Sequence, residues 1–189
     1  MKLETHPLTP DRWSDFEALM GPRGGADGCW CTYWRQPAAA YRDGKGEGNR
    51  RSMQARVQTG ERPPGLLGYI AGMPVGWVSI APRDEFPRMA RSRIVGPLDG
   101  RPVWSVNCFF IKAGHRGEGV ATALLRAACD FAASHGAEIV EGYPIDPLGG
   151  RYANAFAWTG LARSFEQVGF TEVARRSEKR PIMRRTLAR

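Results

Sequence analysis

Between residues 111 and 125 an apolar stretch ends, a glycine-rich turn follows, and an apolar pattern of helical period begins: Ile-Lys-Ala-Gly-His-Arg-Gly-Glu-Gly-Val-Ala-Thr-Ala-Leu-Leu. No other part of the chain constrains the fold as much, because it fixes the order strand, tight turn, helix. Gly114, Gly117 and Gly119 permit backbone conformations that a Cβ would block. The first N–H groups of the helix have no partner within it, so the junction is expected to hold an anion. With Arg116 and Glu118 in the turn, and only Val120, Ala121 and Thr122 between the last glycine and Ala123, the expected guest is a phosphate or pyrophosphate.

Three glycine-rich spellings compete for that turn. A P-loop ends in Gly-Lys-Ser/Thr, which is absent here. A dinucleotide fingerprint is met at Gly117 and Gly119 but has Thr122 in its third glycine position. It also lies past mid-chain, leaving too little sequence for the repeated strand–helix–strand units of a doubly wound domain. The third spelling, Arg-x-x-Gly-x-Ala, is met in full by Arg116, Gly119 and Ala121.

The surroundings support the third spelling. Val103 to Ile111 reads as a strand, Ala121 to Ser134 as a helix with Leu124, Leu125, Ala128 and Phe131 on one face, and Ala137 to Tyr143 as the next parallel strand. Gly136 is placed to end the helix. Earlier, Gly65–Ile70 and Val75–Ile80 flank Ala-Gly-Met-Pro and read as a hairpin. Leu3 to Leu8 reads as a first strand, and Thr9-Pro10-Asp11 opens a helix carrying Trp13, Phe16, Leu19 and Met20. Residues 21–28 are a loop, Asn49 to Gln58 an arginine-rich helix, and residues 82–101 a long charged loop or short helix suited to function.

Arg116-x-x-Gly119-x-Ala121, in this strand–turn–helix–strand context and with Phe165-Glu-Gln-Val-Gly-Phe170 downstream, resembles the GNAT superfamily of acyl-CoA-dependent N-acyltransferases over residues 66–187. The resemblance implies an α/β fold with a mixed, centrally splayed β-sheet flanked by helices. It implies one domain over residues 1–189, in which 1–62 form an N-terminal helical and acceptor part and 63–189 the sheet and acetyl-CoA-binding core. It also implies an N-acetyltransferase with acetyl-CoA as acyl donor. Backbone groups of Phe109, Phe110 and Ile111 would hold the pantetheine arm, and the turn Arg116, Gly117, Glu118, Gly119, Val120, Ala121 and Thr122 would hold the pyrophosphate. A small-molecule amine is the expected acceptor, and a homodimer is an option left open. The motif's usual tyrosine is Phe165 here and its usual asparagine is Trp158. Tyr143, Tyr152 and Asn154 are the nearest substitutes.

Transfer to an amine needs a base for the ammonium and an acid for the leaving thiolate. Glu141 interrupts an apolar strand and shares a face with Ile139 and Tyr143. It reads equally as the base or as half of a structural ion pair, with Tyr143 as the accompanying hydroxyl. Asp146 is a second carboxylate, better explained by turn chemistry. Cys29, Trp30, Tyr33 and Trp34, with Arg35, are expected to form an acceptor wall able to hold a cation on aromatic faces; the alternative is that these rings pack the core. Cys108 reads either as an acyl relay or as a buried apolar thiol, and His115 as a solvated turn residue.

Composition sets the outer bounds. At 189 residues and 42% hydrophobic the chain can bury one proper core. No apolar run approaches the ~20 residues that span a bilayer, so no membrane partner is expected and the assigned compartment is the cytoplasm. Four cysteines without ligand spacing point to free thiols and to no metal. The net charge of +8 brings a nucleic-acid partner into consideration. Its densest group (Arg175, Arg176, Lys179, Arg180, Arg184, Arg185) lies on the last two predicted strands, and the same field would attract the phosphates of coenzyme A. An arginine-rich nucleic-acid binder and a CoA-binding sensor are the competing readings, with a nicotinamide enzyme third.

Overall fold

Turn chemistry and apolar patterning account for most of the architecture. The computed structural model describes residues 3–148 and 157–187. Strands β1 (Glu4–Pro7), β2 (Gly65–Ile70), β3 (Met73–Pro82), β4 (Trp104–Ile111), β5 (Ile139–Gly142), β6 (Thr171–Ser177) and β7 (Arg180–Thr186) form one sheet in the order β1-β2-β3-β4-β5-β7-β6. The β2–β3 hairpin turns on Ala71 and Gly72, both at positive φ (49° and 75°), as a two-residue turn matched to strand twist requires. The first strand, grouped above with the N-terminal part, is the edge strand of the sheet and pairs with β2.

Among the described strands β4 and β5 are the one parallel neighbour pair, and they touch only at Trp104–Val140, Ser105–Glu141 and Val106–Gly142. Beyond Val106 β4 continues for five residues, to Ile111, while β5 stops at Gly142. The register between β3 and β4 slips between Ser79 and Ile80, which places Asn107 opposite no β3 residue. Such a bulge bends a strand, and here it falls where β4 departs from β5. The splay is therefore built from a short β5 and a bulged β4.

Among the described residues six α-helices flank the sheet: α1 (Trp13–Met20), α2 (Ala38–Asp43), α3 (Glu47–Thr59), α4 (Pro87–Ala90), α5 (Val120–Ser134) and α6 (Ala162–Glu166). Helix α5 packs Val120, Leu124, Leu125, Ala128 and Ala132 onto one sheet face against Leu66, Val78, Val106 and Phe109. The opposite face carries Leu67 and Trp77 under Phe16 and Met20 of α1 and Met53 and Val57 of α3. Thr9 stands before Pro10 at the helix opening as expected, but its hydroxyl accepts from Arg12 Nη1 (3.1 Å) and caps no backbone N–H. Helix α2 was not legible, since Ala38-Ala-Ala between Pro37 and Tyr41 has no apolar period. Residues 82–101 resolve into a short 3-10 turn at Arg83–Glu85, helix α4 and turns. Among the described residues no helix is long and apolar enough to cross a membrane.

Phe165, the position of the family tyrosine, lies fully buried on α6 between Phe109 and Phe170. Its ring occupies the space in which a Cβ at Gly142 would have to sit. A Gly142→Ala variant is thus expected to overpack the β5–α6 contact and lower stability by about 1–3 kcal/mol. Thermal melting checks this, with Phe165→Leu in the same background expected to restore part of the loss.

Candidate active site

The glycine-rich turn ends β4 and starts α5. Ala113–His115 make a 3-10 turn, after which Gly117 and Gly119 take positive φ (81° and 80°). Gly119 is the N-cap of α5 and no side chain caps the helix. The N–H groups of Val120, Ala121 and Thr122 therefore face outward without an intrahelical acceptor. Among the described residues, chain neighbours aside, a Cβ built on Gly117 or Gly119 would meet no atom within 4 Å. Glycine is thus required here for its backbone angles, and open space lies in front of the helix end. Val120 itself is buried in the core, so it offers only its N–H. Glu118 is turned aside to His115 (3.2 Å), and the Thr122 hydroxyl faces Gln167 (3.5 Å). This cradle fits a phosphate group.

The open edge of β4 is less free than its sequence suggests. Phe109 N–H donates to the Trp158 carbonyl (2.6 Å), and the Ile111 carbonyl accepts from Arg116 Nε (3.0 Å). These groups point away from β3, so alternation turns the backbone groups of Phe110, lying between them, toward β3. Of the three expected backbone positions, two face the splay and Phe110 does not. Of the four backbone groups on these two residues, the Phe109 N–H and the Ile111 carbonyl already have internal partners, so a guest amide at either would exchange one hydrogen bond for another. Such exchanges are close to neutral, at about 0.5–1.5 kcal/mol per bond.

The aromatic segment divides in two. Trp30 and Cys31 adopt positive φ (47° and 59°) and turn inward; Trp30 packs against Trp13 and Phe16 in the core, and the Trp77 indole N–H donates to Cys31 Sγ at 3.0 Å. Trp30 is therefore core and not acceptor wall, because its backbone conformation sends the ring under the loop. Cys29 stays half-buried behind Tyr41, where burial raises its thiol pKa. Tyr33 and Trp34 remain half-buried beside Tyr41 and Trp158, with Tyr33 ring centroids 4.8, 5.3 and 5.7 Å from those of Trp34, Tyr41 and Trp158.

The sequence profile of the acetyltransferase (GNAT) family matches residues 30–143. The chain belongs to that family. The GNAT architecture agrees with solved structures at low identity. The chain is similar to the GNAT domain of S. lividans PAT (17% identical, covering 98% of this chain and 90% of that one, TM-score 0.53). It is similar to the PaiA N-acetyltransferase from Thermoplasma acidophilum in complex with coenzyme A (11%, 99% and 100%, TM-score 0.56). It is also similar to yncA, a putative acetyltransferase from Salmonella typhimurium with its cofactor acetyl-CoA (17%, 98% and 94%, TM-score 0.55). No curated protein matches the sequence.

Within this GNAT fold, Glu141 and Tyr143 do come together, inside a closed polar network. Glu141 is fully buried. One carboxylate oxygen accepts from Arg83 Nη2 and from the Tyr143 hydroxyl (2.6 Å), and the other accepts from Arg184 Nε (2.6 Å). The Tyr143 hydroxyl also accepts from Arg83 (2.6 Å) and lies 3.0 Å from Ser105 Oγ. Burial, reinforced by the Glu141 charge, raises the Tyr143 pKa far above that of a free tyrosine. Of the two readings left open by the sequence, the ion pair is the one whose geometry is present. Sequence reasoning missed Arg83, Ser105, Arg184 and Asp99, which are brought to Glu141 from elements far away in the chain. The signals that pointed there were the charge of the 82–101 stretch and the basic group containing Arg184 on the last two strands.

Arg184 continues the network outward, donating to both oxygens of Asp99 (2.6 and 3.0 Å). These hydrogen bonds hold the exposed Asp99 carboxyl down at about 2. A folded pKa below the unfolded one adds stability above the unfolded value, and that stability disappears as pH falls through the folded one. Asp99→Asn is therefore expected to melt below the parent at pH 7, with the difference closing as pH falls from about 4 to about 2.

The other candidates are placed as follows. Cys108 lies against Cys31 and Cys29, and its hydrogen bond with Cys31, then burial, pushes its thiol well above the ordinary value, which is the condition of an inert thiol. Asp146 pairs with Arg175 (2.9 Å) at the surface. Among the described residues no group of histidine, cysteine or carboxylate side chains could hold a metal ion. Tyr152 and Asn154 lie outside the described residues.

Proposed function

We propose that this protein transfers an acetyl group from acetyl-CoA to the primary amine of a small molecule. The observation that carries this is the uncapped N-terminus of α5 behind Gly117 and Gly119, at the end of a β4 that has parted from β5. The coenzyme A and acetyl-CoA held by two of the similar structures support the donor.

For Glu141 and Tyr143 we propose a positioning role. A carboxylate that is fully buried, with its oxygens engaged by two guanidinium groups and a hydroxyl, presents no oxygen to a substrate. The ammonium of the acceptor then loses its proton to solvent on the open face of β4, and the leaving thiolate is protonated there as well, in keeping with Phe165 at the family tyrosine. One consequence is that log kcat/KM should rise with unit slope up to the acceptor's own amine pKa and shift with that pKa across a set of amines. A limb fixed at one pH for every amine would instead reveal a base on the enzyme.

Calorimetric titration with acetyl-CoA, with NADH and ATP as controls, tests the donor, and thiol release over an amine panel tests the transfer. Phe165 favours one second reading, a CoA-binding sensor, for which acetyl-CoA binds and no amine in the panel releases thiol.

A further inference from the structure

Building on the reading above, we infer that Arg88 receives a carboxylate of the acceptor, so that the amine acetylated is an amino-acid-like one. Arg88 lies on α4, and its guanidinium stacks 3.8 Å above the Tyr33 ring centroid and 5.7 Å from that of Tyr41. Its Nη1 reaches only the Tyr33 carbonyl, at 3.4 Å. Neighbouring arginines each have a carboxylate partner: Arg35, Arg56 and Arg62 share Glu85, and Arg83 and Arg184 share Glu141. Among the described residues no carboxylate pairs with Arg88, and residues 149–156 contain no acidic side chain. A guanidinium held over a ring still has N–H groups suited to binding a carboxylate through two parallel hydrogen bonds.

Arg88 is tied to the splay from two sides. The adjacent Met89 Sδ accepts from Asn107 Nδ2 (3.5 Å), and Asn107 is the bulged residue at which β4 leaves β5. On the other side, the Trp158 ring lies 5.7 Å from that of Tyr33, and the Trp158 carbonyl holds Phe109 N–H. An aromatic wall of this kind would ordinarily attract a ligand cation. Here the chain's own cation occupies the Tyr33 face, and Arg180 stands 6.0 Å from Trp158. The wall therefore selects for a negative group on the acceptor and against polyamines. The Trp34 Nε1–H, buried with no acceptor among the described residues, is a further donor in want of an oxygen.

The test uses matched amines with the intact protein and saturating acetyl-CoA: L-phenylalanine, its carboxamide and phenethylamine, and β-alanine against propylamine. With KM expressed as the concentration of neutral amine, the carboxylate members should show KM lower by about ten- to hundredfold, the range for a charge-assisted hydrogen-bonded pair, with kcat similar within each set. Arg88→Gln should erase that preference while leaving acetyl-CoA binding unchanged by calorimetry, and Arg88→Lys should restore part of it. Equal KM for carboxylate and carboxamide in the parent, or a preference that survives in Arg88→Gln, overturns the assignment. If acetyl-CoA binds and nothing is acetylated, the transfer reading fails separately. Quenching of tryptophan fluorescence by the N-acetylated forms of the same compounds then decides the Arg88 assignment without transfer. Tighter binding of the carboxylate forms upholds it, and equal or absent binding overturns it.

Discussion

A Gly119→Val variant is expected to fold and to lose acetyl-CoA binding by at least about 100-fold. The isopropyl group would stand in the open space before the first N–H groups of α5, and losing two charge-assisted hydrogen bonds of about 1.5–3 kcal/mol each is sufficient for that loss. Because, chain neighbours aside, no atom of the described residues lies within 4 Å of the added Cβ, the folding cost is limited to holding a branched residue at φ 80°. That cost is about 1–3 kcal/mol, or a melting temperature lowered by several degrees in a chain of this size. Gly136, just past the other end of α5, supplies the control, with φ 79° and equally open surroundings. Gly136→Val should show the same destabilisation with unchanged acetyl-CoA affinity. Calorimetry and thermal melts on the pair separate strain from occlusion, and intact affinity in Gly119→Val would remove the phosphate assignment.

The second large effect is expected at Glu141. Replacing it by glutamine leaves Arg83 and Arg184 facing an amide in a buried setting, and breaking a buried ion pair from one side costs about 3–5 kcal/mol. The melting temperature should fall by roughly 6–20 °C at neutral pH. Arg83 feels this most, since its Nη1 is already buried without a partner, whereas Arg184 keeps Asp99. Where the variant is kept folded by low temperature, the pH profile of kcat/KM should retain its shape and shift with the acceptor amine as in the parent. A Glu141→Gln protein of normal stability with a collapsed kcat and a lost pH limb would instead make Glu141 the base.

Asn49 shows how the N-terminal helices and loop are held by polar contacts as much as by apolar ones. Fully buried on α3, it donates to the carbonyls of Gly28 and Tyr41 (3.0 and 3.2 Å) and accepts from Gln36 (3.1 Å). The glycine-rich loop, α2 and the aromatic segment are thereby tied to one helix. None of these partners is within a helical turn of Asn49 in sequence, so periodicity carries no trace of the arrangement.

What the sequence determined by itself was the local backbone. The Ala71-Gly72 turn, the order of strand, glycine turn and helix from β4 to α5, and the Gly136 helix stop follow from dihedral preferences and from apolar spacing, which act over a few residues. The anion cradle belongs to this class, since it is made of main-chain N–H groups and of glycines at positive φ. Tertiary structure alone decided which side chains meet. It turned Trp30 inward and left Tyr33 and Trp34 outward, placed the Trp158 carbonyl on Phe109 N–H, and enclosed Glu141 between arginines 58 and 43 positions away. Those outcomes depend on strand register and on charge neutralisation across the sheet, where each partner is chosen by burial in three dimensions and not by its distance along the chain.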